Sequence, residues 1–208
     1  MGLRERKKEE TRKTLLEQAG ALFAAKGYQN VTTAEIAREA GIAEGTLFNY
    51  FRNKGELFVA AVMPEPAIET FRGAELEDPS PRRLAAAIVD MLDGELSRFE
   101  RVEKRMLQDY FAIVYGGALA ESAEARAGLF AADERMLVRV RSFLEAQKQA
   151  FSARMAGFDA DLAASCIFGC VVTLMNQYVL IEGYSYAQFK KTMFDQISFI
   201  LTGHVASP

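Results

Sequence analysis

The sequence predicts an all-α protein of about nine helices, with an N-terminal three-helix helix-turn-helix domain over residues 1–62 and a larger C-terminal helical domain over residues 63–208. Two observations carry this expectation. Pro and Gly mark the boundaries, and nearly every stretch between them has apolar residues at helical spacing, with no strand pattern, repeat or low-complexity tract. Residues 32–58 also read as two short helices joined by a tight turn and followed directly by a third helix start. Half of the 208 residues are hydrophobic, so a sizeable core is available.

The first helix is expected from about Glu5 to Lys26, with Leu15, Ala19, Leu22 and Phe23 inward and Gly27 as its stop. Thr32 and Glu35 stand at capping-box spacing, so the second helix starts near Thr33. Ile36, Ala37 and Ala40 share one face. Gly41 takes the positive φ of the turn, Ile42 plugs the corner, and Leu47 lies on the inner face of the next helix. Glu44, Gly45, Thr46, Phe48, Asn49 and Tyr50 are left on or near the outer face. Asn53 with Glu56 opens the fourth helix, which turns Leu57, Phe58 and Ala61 inward and breaks at Met63 before Pro64 and Pro66.

Asp78-Pro79-Ser80-Pro81 ends in an N-cap and a first-turn proline. The fifth helix follows with Leu84, Ile88, Met91, Leu92, Glu95 and Phe99 on one stripe. The sixth carries Met106, Leu107, Tyr110, Phe111 and Val114 and stops at Gly116-Gly117. The seventh, from about Ser122 to Phe151, turns Leu129, Met136, Leu137, Val140, Phe143 and Leu144 inward. Asp159 caps the eighth, which Gly183 ends. Ser185 with Gln188 caps the ninth, whose stripe is Phe189, Met193, Ile197, Ile200 and Leu201.

Composition narrows the function classes. The net charge of −3 hides a basic N-terminal part, with ten Lys/Arg against eight acids in residues 1–62, on an acidic remainder. Cys166 and Cys170, four apart in an apolar helix, read as small buried fillers or a redox pair rather than a structural disulfide, in keeping with a reducing, cytoplasmic setting. One histidine, His204, assembles no metal set. No Gly-x-Ser-x-Gly and no nucleophile beside a base points to catalysis, and no cofactor is expected. The charged run Arg4–Lys13 has no apolar run after it, so no signal peptide is expected. Leu162 to Ile181 is the one span apolar enough to suggest a membrane helix. Ser165, Thr173, Asn176 and Gln177 within it favour a helix buried on two sides, and no membrane partner is expected.

Thr33, Ile36-Ala37, Ala40-Gly41-Ile42, Gly45-Thr46-Leu47, Phe48-Asn49-Tyr50-Phe51, and Lys54 with Glu56-Leu57-Phe58 form an ordered set that resembles the DNA-binding domain of TetR-type one-component regulators. The resemblance covers roughly the first 62 residues in motif and the remainder in length and helix pattern. It departs at Ala43 and Glu44, where the family often has a small hydroxyl residue followed by a basic or small one. An N-cap hydroxyl is thereby lost and an acid is placed near the DNA.

The resemblance implies a double-stranded, palindromic DNA operator contacted through Thr33, Ala43, Glu44, Gly45, Thr46, Phe48, Asn49, Tyr50 and Lys54. Lys54 stands in the first turn of a helix, where a cation is unfavourable, and a phosphate at the free N–H groups explains it; the bland reading is a solvated lysine. Thr33 gives its hydroxyl to a phosphate or shares a cap with Thr32. Glu44 either accepts from cytosine N4 or only favours the helix N-terminus. Asn49 reads adenine or holds a phosphate.

In the body, Ser165, Gly169 and Thr173 form a small ridge on the eighth helix. With Met193 and Ile197 of the ninth they are expected at a four-helix homodimer seam, as the family pairs its last helices. Met91, Phe99, Tyr110, Phe111, Met136, Phe143, Asn176 and Tyr178 are expected to line a site for a small apolar or amphipathic effector, with Gln108, Asp109 and Gln177 nearby; the same thioethers and rings also fill ordinary cores. The expected activity is that of a transcription repressor released by its effector. The alternative is a regulator gated by a protein partner.

Overall fold

A computed structural model describes residues 2–63, 76–116 and 123–202. Nine α-helices and one 3₁₀ helix occur among them, with no strand. In chain order they are α1 (Leu3–Lys26), α2 (Thr33–Glu39), α3 (Glu44–Leu47), α4 (Lys54–Val62), α5 (Pro81–Leu96), the 3₁₀ helix η1 (Ser97–Arg101), α6 (Lys104–Gly116), α7 (Ala123–Ala150), α8 (Ala160–Leu180) and α9 (Tyr186–Leu201). Pro64, Pro66, Gly117, Ser122 and His204 lie outside the described residues, as does the Leu129 side chain.

The chain forms two compact units, one of Met1–Pro66 with Val102–Leu129 and one of Ala67–Arg101 with Phe130–Pro208. Residues 102–129, which the sequence grouped with the larger domain, thus belong with the N-terminal helices. The reason lies in α6, which packs on α4. Its Asp109 Oδ2 accepts from the Tyr28 N–H at 3.1 Å, and Arg105 donates to the Ala24 carbonyl at 2.9 Å.

In the first unit α1 packs on α2 and α4, and α2 on α3. Leu15, Ala19 and Phe23 of α1, Ile36 and Ala37 of α2, Leu47 of α3, and Leu57 and Phe58 of α4 are buried together with Val31 and Phe51. Each large side chain so buried contributes about 1.5–3 kcal/mol of transfer free energy. The Phe23 and Phe58 rings meet edge to face at 4.9 Å, and Tyr28 joins them at 5.0 Å from Phe58. The turn after α2 closes as a Schellman motif: the Ile42 N–H donates to the Ala37 carbonyl at 3.0 Å and the Gly41 N–H to that of Arg38 at 3.1 Å. Gly41 has φ +69°, as its position in the sequence predicts. Thr32 caps α2 through the Glu35 N–H and Asn53 caps α4 through that of Glu56. The Glu35 carboxylate does not reach back to complete a capping box; it accepts from Lys26.

In the second unit α9 packs on both α5 and α8. Leu84, Ile88, Leu92, Ile167, Leu174, Phe189, Met193, Ile197 and Leu201 are among its buried residues. Polar ties fix the helices. The Tyr186 hydroxyl donates to Asp93 Oδ1 at 2.8 Å and Lys190 to Oδ2 at 2.7 Å, joining α9 to α5. Burial, and then the bond to Asp93, push the Tyr186 phenol far above its ordinary pKa. Arg139 of α7 pairs with Glu95 of α5, Arg141 with Asp161 of α8, and Arg154 with Asp78 ahead of α5. The capping box of Ser185 and Gln188 forms as predicted. By length and composition α8 is apolar enough to cross a membrane; here its Ala163, Ala164, Ile167, Val171 and Leu174 face is buried.

Candidate functional site

The helix-turn-helix places α3 by a single anchor. Leu47 is fully buried, and its neighbours Glu44, Gly45, Phe48 and Asn49 are exposed while Thr46 and Tyr50 are half-buried. The helix is short because its start lacks a side-chain cap: Ala43 occupies the N-cap without a side-chain bond, and Gly45 weakens the first turn. The chain then tightens, with Asn49 N–H to Thr46 and Tyr50 N–H to Leu47 carbonyl bonds. A Cβ at Gly45 would meet no described atom within 4 Å, so the glycine faces open space. Phe48 leaves 47 % of its surface exposed on the same short element.

Thr33 and Glu44 are brought together. The Thr33 hydroxyl donates to Glu44 Oε1 at 2.6 Å. The cap of α2 is Thr32 alone, so Thr33 is not a shared cap.

Lys54 has partners that the sequence did not reveal. Its Nζ donates to the Tyr28 carbonyl at 3.0 Å and the Val31 carbonyl at 3.1 Å, and lies 4.2 Å from the Tyr28 ring centre. It is therefore not a solvated lysine, and a phosphate is not needed to explain a cation in the first turn of α4. Two carbonyl dipoles and a ring face offset the unfavourable helix end. The α1–α2 loop is thus held by Lys54 from α4 and by Asp109 from α6. Tyr28 was not singled out from sequence; its place next to the stop glycine Gly27 was the available signal.

The expected effector residues divide. Tyr110 and Phe111 lie on α6 in the first unit, their rings edge to face at 5.4 Å. Met91, Phe99, Met136, Phe143 and Tyr178 are buried in the second unit. Asn176 does not join them. Helical period sets it about 160° around α8 from Tyr178, and it is exposed, with its amide donating to the Val172 carbonyl at 2.9 Å. Gln177 and Gln108 are exposed as well. Asp109 is already committed to Tyr28.

On the last two helices Ser165, Gly169 and Thr173 are exposed in one row, and a Cβ at Gly169 would meet no described atom within 4 Å. Met193 and Ile197 are fully buried and present no surface to a partner; they fall on the face that α9 turns to α5 and α8. The outward residue is Phe199, 81 % exposed, with Leu162, Leu180 and Ile181 also exposed on and after α8. Cys166 is exposed rather than a buried filler, and burial followed by its neighbour Cys166 pushes the Cys170 thiol up.

Residues 15–61, from within α1 to the end of α4, match the family model described as bacterial regulatory proteins, tetR family. Among solved structures, NalD of Pseudomonas aeruginosa, described as the secondary repressor of the MexAB-OprM multidrug efflux pump, is 21 % identical over 96 % of this chain and 98 % of its own, with a TM-score of 0.58. A second structure of native NalD gives 18 % identity, coverage of 95 % and 97 %, and a TM-score of 0.58. A transcriptional regulator from Rhodococcus sp. Rha1 gives 20 %, 95 % and 99 %, and 0.52. At these identities the likeness is one of fold.

Proposed function

We propose that this chain, whose N-terminal domain is that of the tetR family of bacterial regulatory proteins, is a homodimeric repressor that binds a palindromic DNA operator and is released by a small apolar or amphipathic effector. The observation that carries this reading is the surface of α3. Leu47 pins a four-residue helix on which Glu44 and Gly45 are exposed, Thr46 is half-buried, and the glycine has open space beside it. A glycine with free space beside it is weak helix and no packing device, so its use is to admit something close. A DNA backbone wall fits that use, with Thr46 and Asn49 reaching base edges and Tyr50 and Phe48 the sugar-phosphate chain.

The dimer reading is supported by the outer surface of α8 and α9. Phe199, Leu162, Leu180 and Ile181 expose apolar area beside the small row Ser165, Gly169 and Thr173. A large apolar surface with small residues between suits another helix pair.

The effector reading is supported by the buried thioethers and rings of the second unit. The chain enters α6 from η1 of that unit, and α7, which follows α6, passes into the same unit at Phe130. Asp109, next to Tyr110, holds the α1–α2 loop. An effector that prefers one of two states shifts operator affinity by its differential binding.

Fluorescence anisotropy with duplexes covering the region upstream of its own coding sequence tests the reading. Tight binding to one segment, falling steeply with salt, is expected. Equal, weak binding to every duplex contradicts it.

A further inference from the structure

We propose that Gln147 is the polar anchor of the effector site, and that the effector is a neutral apolar molecule carrying a hydroxyl, phenol or amide N–H that donates to Gln147 Oε1. The proposal rests on the effector reading above and names the chemistry of that site.

Gln147 is the single polar residue among the described buried side chains, with 8 % of its surface exposed. It continues the inward stripe of α7 formed by Met136, Val140, Phe143 and Leu144, all buried. Helical period therefore calls for an apolar residue at 147, and the sequence places an amide there. Its Oε1 is inaccessible to solvent and has no hydrogen-bond partner among the described residues. Folded chains rarely keep such an acceptor without a use for it.

Phe143 and Leu144 lie one turn ahead of that amide on the same stripe, and neither offers a side-chain donor. Arg139 of α7 pairs with Glu95 of α5, and Arg154, in the turn after α7, pairs with Asp78 ahead of α5, so the chain is tied on either side of Gln147 in sequence. Between those two partners in sequence, α5 is buried at Leu84, Ala85, Ile88 and Met91.

An acceptor in such surroundings selects its ligand twice. It favours a molecule that brings a donor, and the buried apolar stripe that holds it disfavours a charged one, whose desolvation is costly. Asp133 lies on the same helix about 21 Å away, too far to neutralise a cation at Gln147.

The test uses full-length protein and three matched probe pairs: 4-butylphenol and 4-butylanisole, 1-decanol and methyl nonyl ether, 1-naphthol and 1-methoxynaphthalene. Calorimetry gives each Kd, and anisotropy gives operator affinity with each probe present. The hydroxyl member of a pair should bind about five- to tenfold more tightly, the effect of one buried hydrogen bond. In Gln147→Met the gap should close while the melting temperature stays level or rises, because an unpaired polar group is replaced by an apolar one of similar shape. Gln147→Leu repeats the comparison should the Met variant not fold. Equal Kd within every pair, an undiminished gap in the variant, or no binding by any probe overturns the proposal. Methyl ethers that bind as tightly and still change operator affinity remove Gln147 but leave the effector reading standing. Probes that bind without changing operator affinity remove that reading, and this inference with it.

Discussion

The Thr33 hydroxyl donates to Glu44 Oε1 at 2.6 Å, joining the first residue of α2 to the first residue of α3. The bond holds an exposed carboxylate in one place and directs the hydroxyl away from any phosphate. With Thr33 occupying one lone pair, the carboxylate keeps others for an amino donor. Glu44→Ala should free the Thr33 hydroxyl and remove a charge that repels phosphate. Non-specific affinity should then rise, while discrimination at one operator base pair falls by about 1–3 kcal/mol. Competition binding with single-base operator variants checks this. Unchanged discrimination at every position would leave Glu44 as a local charge at a helix end.

Gly45 separates folding from recognition. The open space at its Cβ means that Gly45→Leu has no described clash to meet within the chain, and the change removes a poor helix former. The variant should melt at or above the temperature of the natural chain and lose operator binding by at least about a hundredfold, or 2.7 kcal/mol. Melting and anisotropy measured on one preparation decide it. Retained affinity would put the recognition surface elsewhere.

Lys54 carries a loop as well as a charge. Its Nζ bonds to the Tyr28 and Val31 carbonyls, and Asp109 takes the Tyr28 N–H from the other side. Lys54→Met should destabilise the protein by about 1–3 kcal/mol, because two charge-assisted bonds are lost from a half-buried setting. Its salt slope for DNA should change by less than the roughly 0.9 per half-site that a direct phosphate contact carries. Denaturant unfolding and anisotropy across a salt series measure both. An unaltered midpoint would mean the clasp contributes nothing, and a slope change near 0.9 would restore a full phosphate contact.

Helix existence, the caps at Thr32, Asn53, Asp159 and Ser185, and the Gly41 turn were legible because each rests on residues within a few positions of one another. The partners of Lys54 were not, since Tyr28 and Val31 lie 26 and 23 residues away in sequence and only the packed fold brings them near. Asn176 differs for another reason: two residues from Tyr178, it is sent by helical period to the opposite side of α8. Met193 and Ile197 show a third limit. Periodicity identifies an apolar stripe on α9 but does not say whether α5 or a second chain covers it.

Two sets of carboxyls respond to pH with opposite sign. Lys26 holds the Glu35 carboxyl below its ordinary range, and Arg154 does so for Asp78. What these pairs contribute is present above the ordinary carboxylate range and is lost as pH falls through the lowered values. Burial raises the Asp133 carboxyl instead. Its ionisation costs stability once pH exceeds the unfolded value, and acid relieves that cost. Asp133→Asn should therefore raise the melting temperature more at pH 7 than at pH 4, whereas Glu35→Gln should lower it more at pH 7. Thermal melts at the two pH values check both signs, and equal shifts at both would contradict the assignments.

The central claim is tested most directly by selecting duplexes from a random pool with the full-length protein and sequencing those that bind. A dimeric repressor should enrich one motif with twofold sequence symmetry, its half-sites about one helical turn or a multiple apart, with an even number of chains per duplex by sedimentation. Enrichment of no motif, or of an asymmetric motif bound by a single chain, would contradict it.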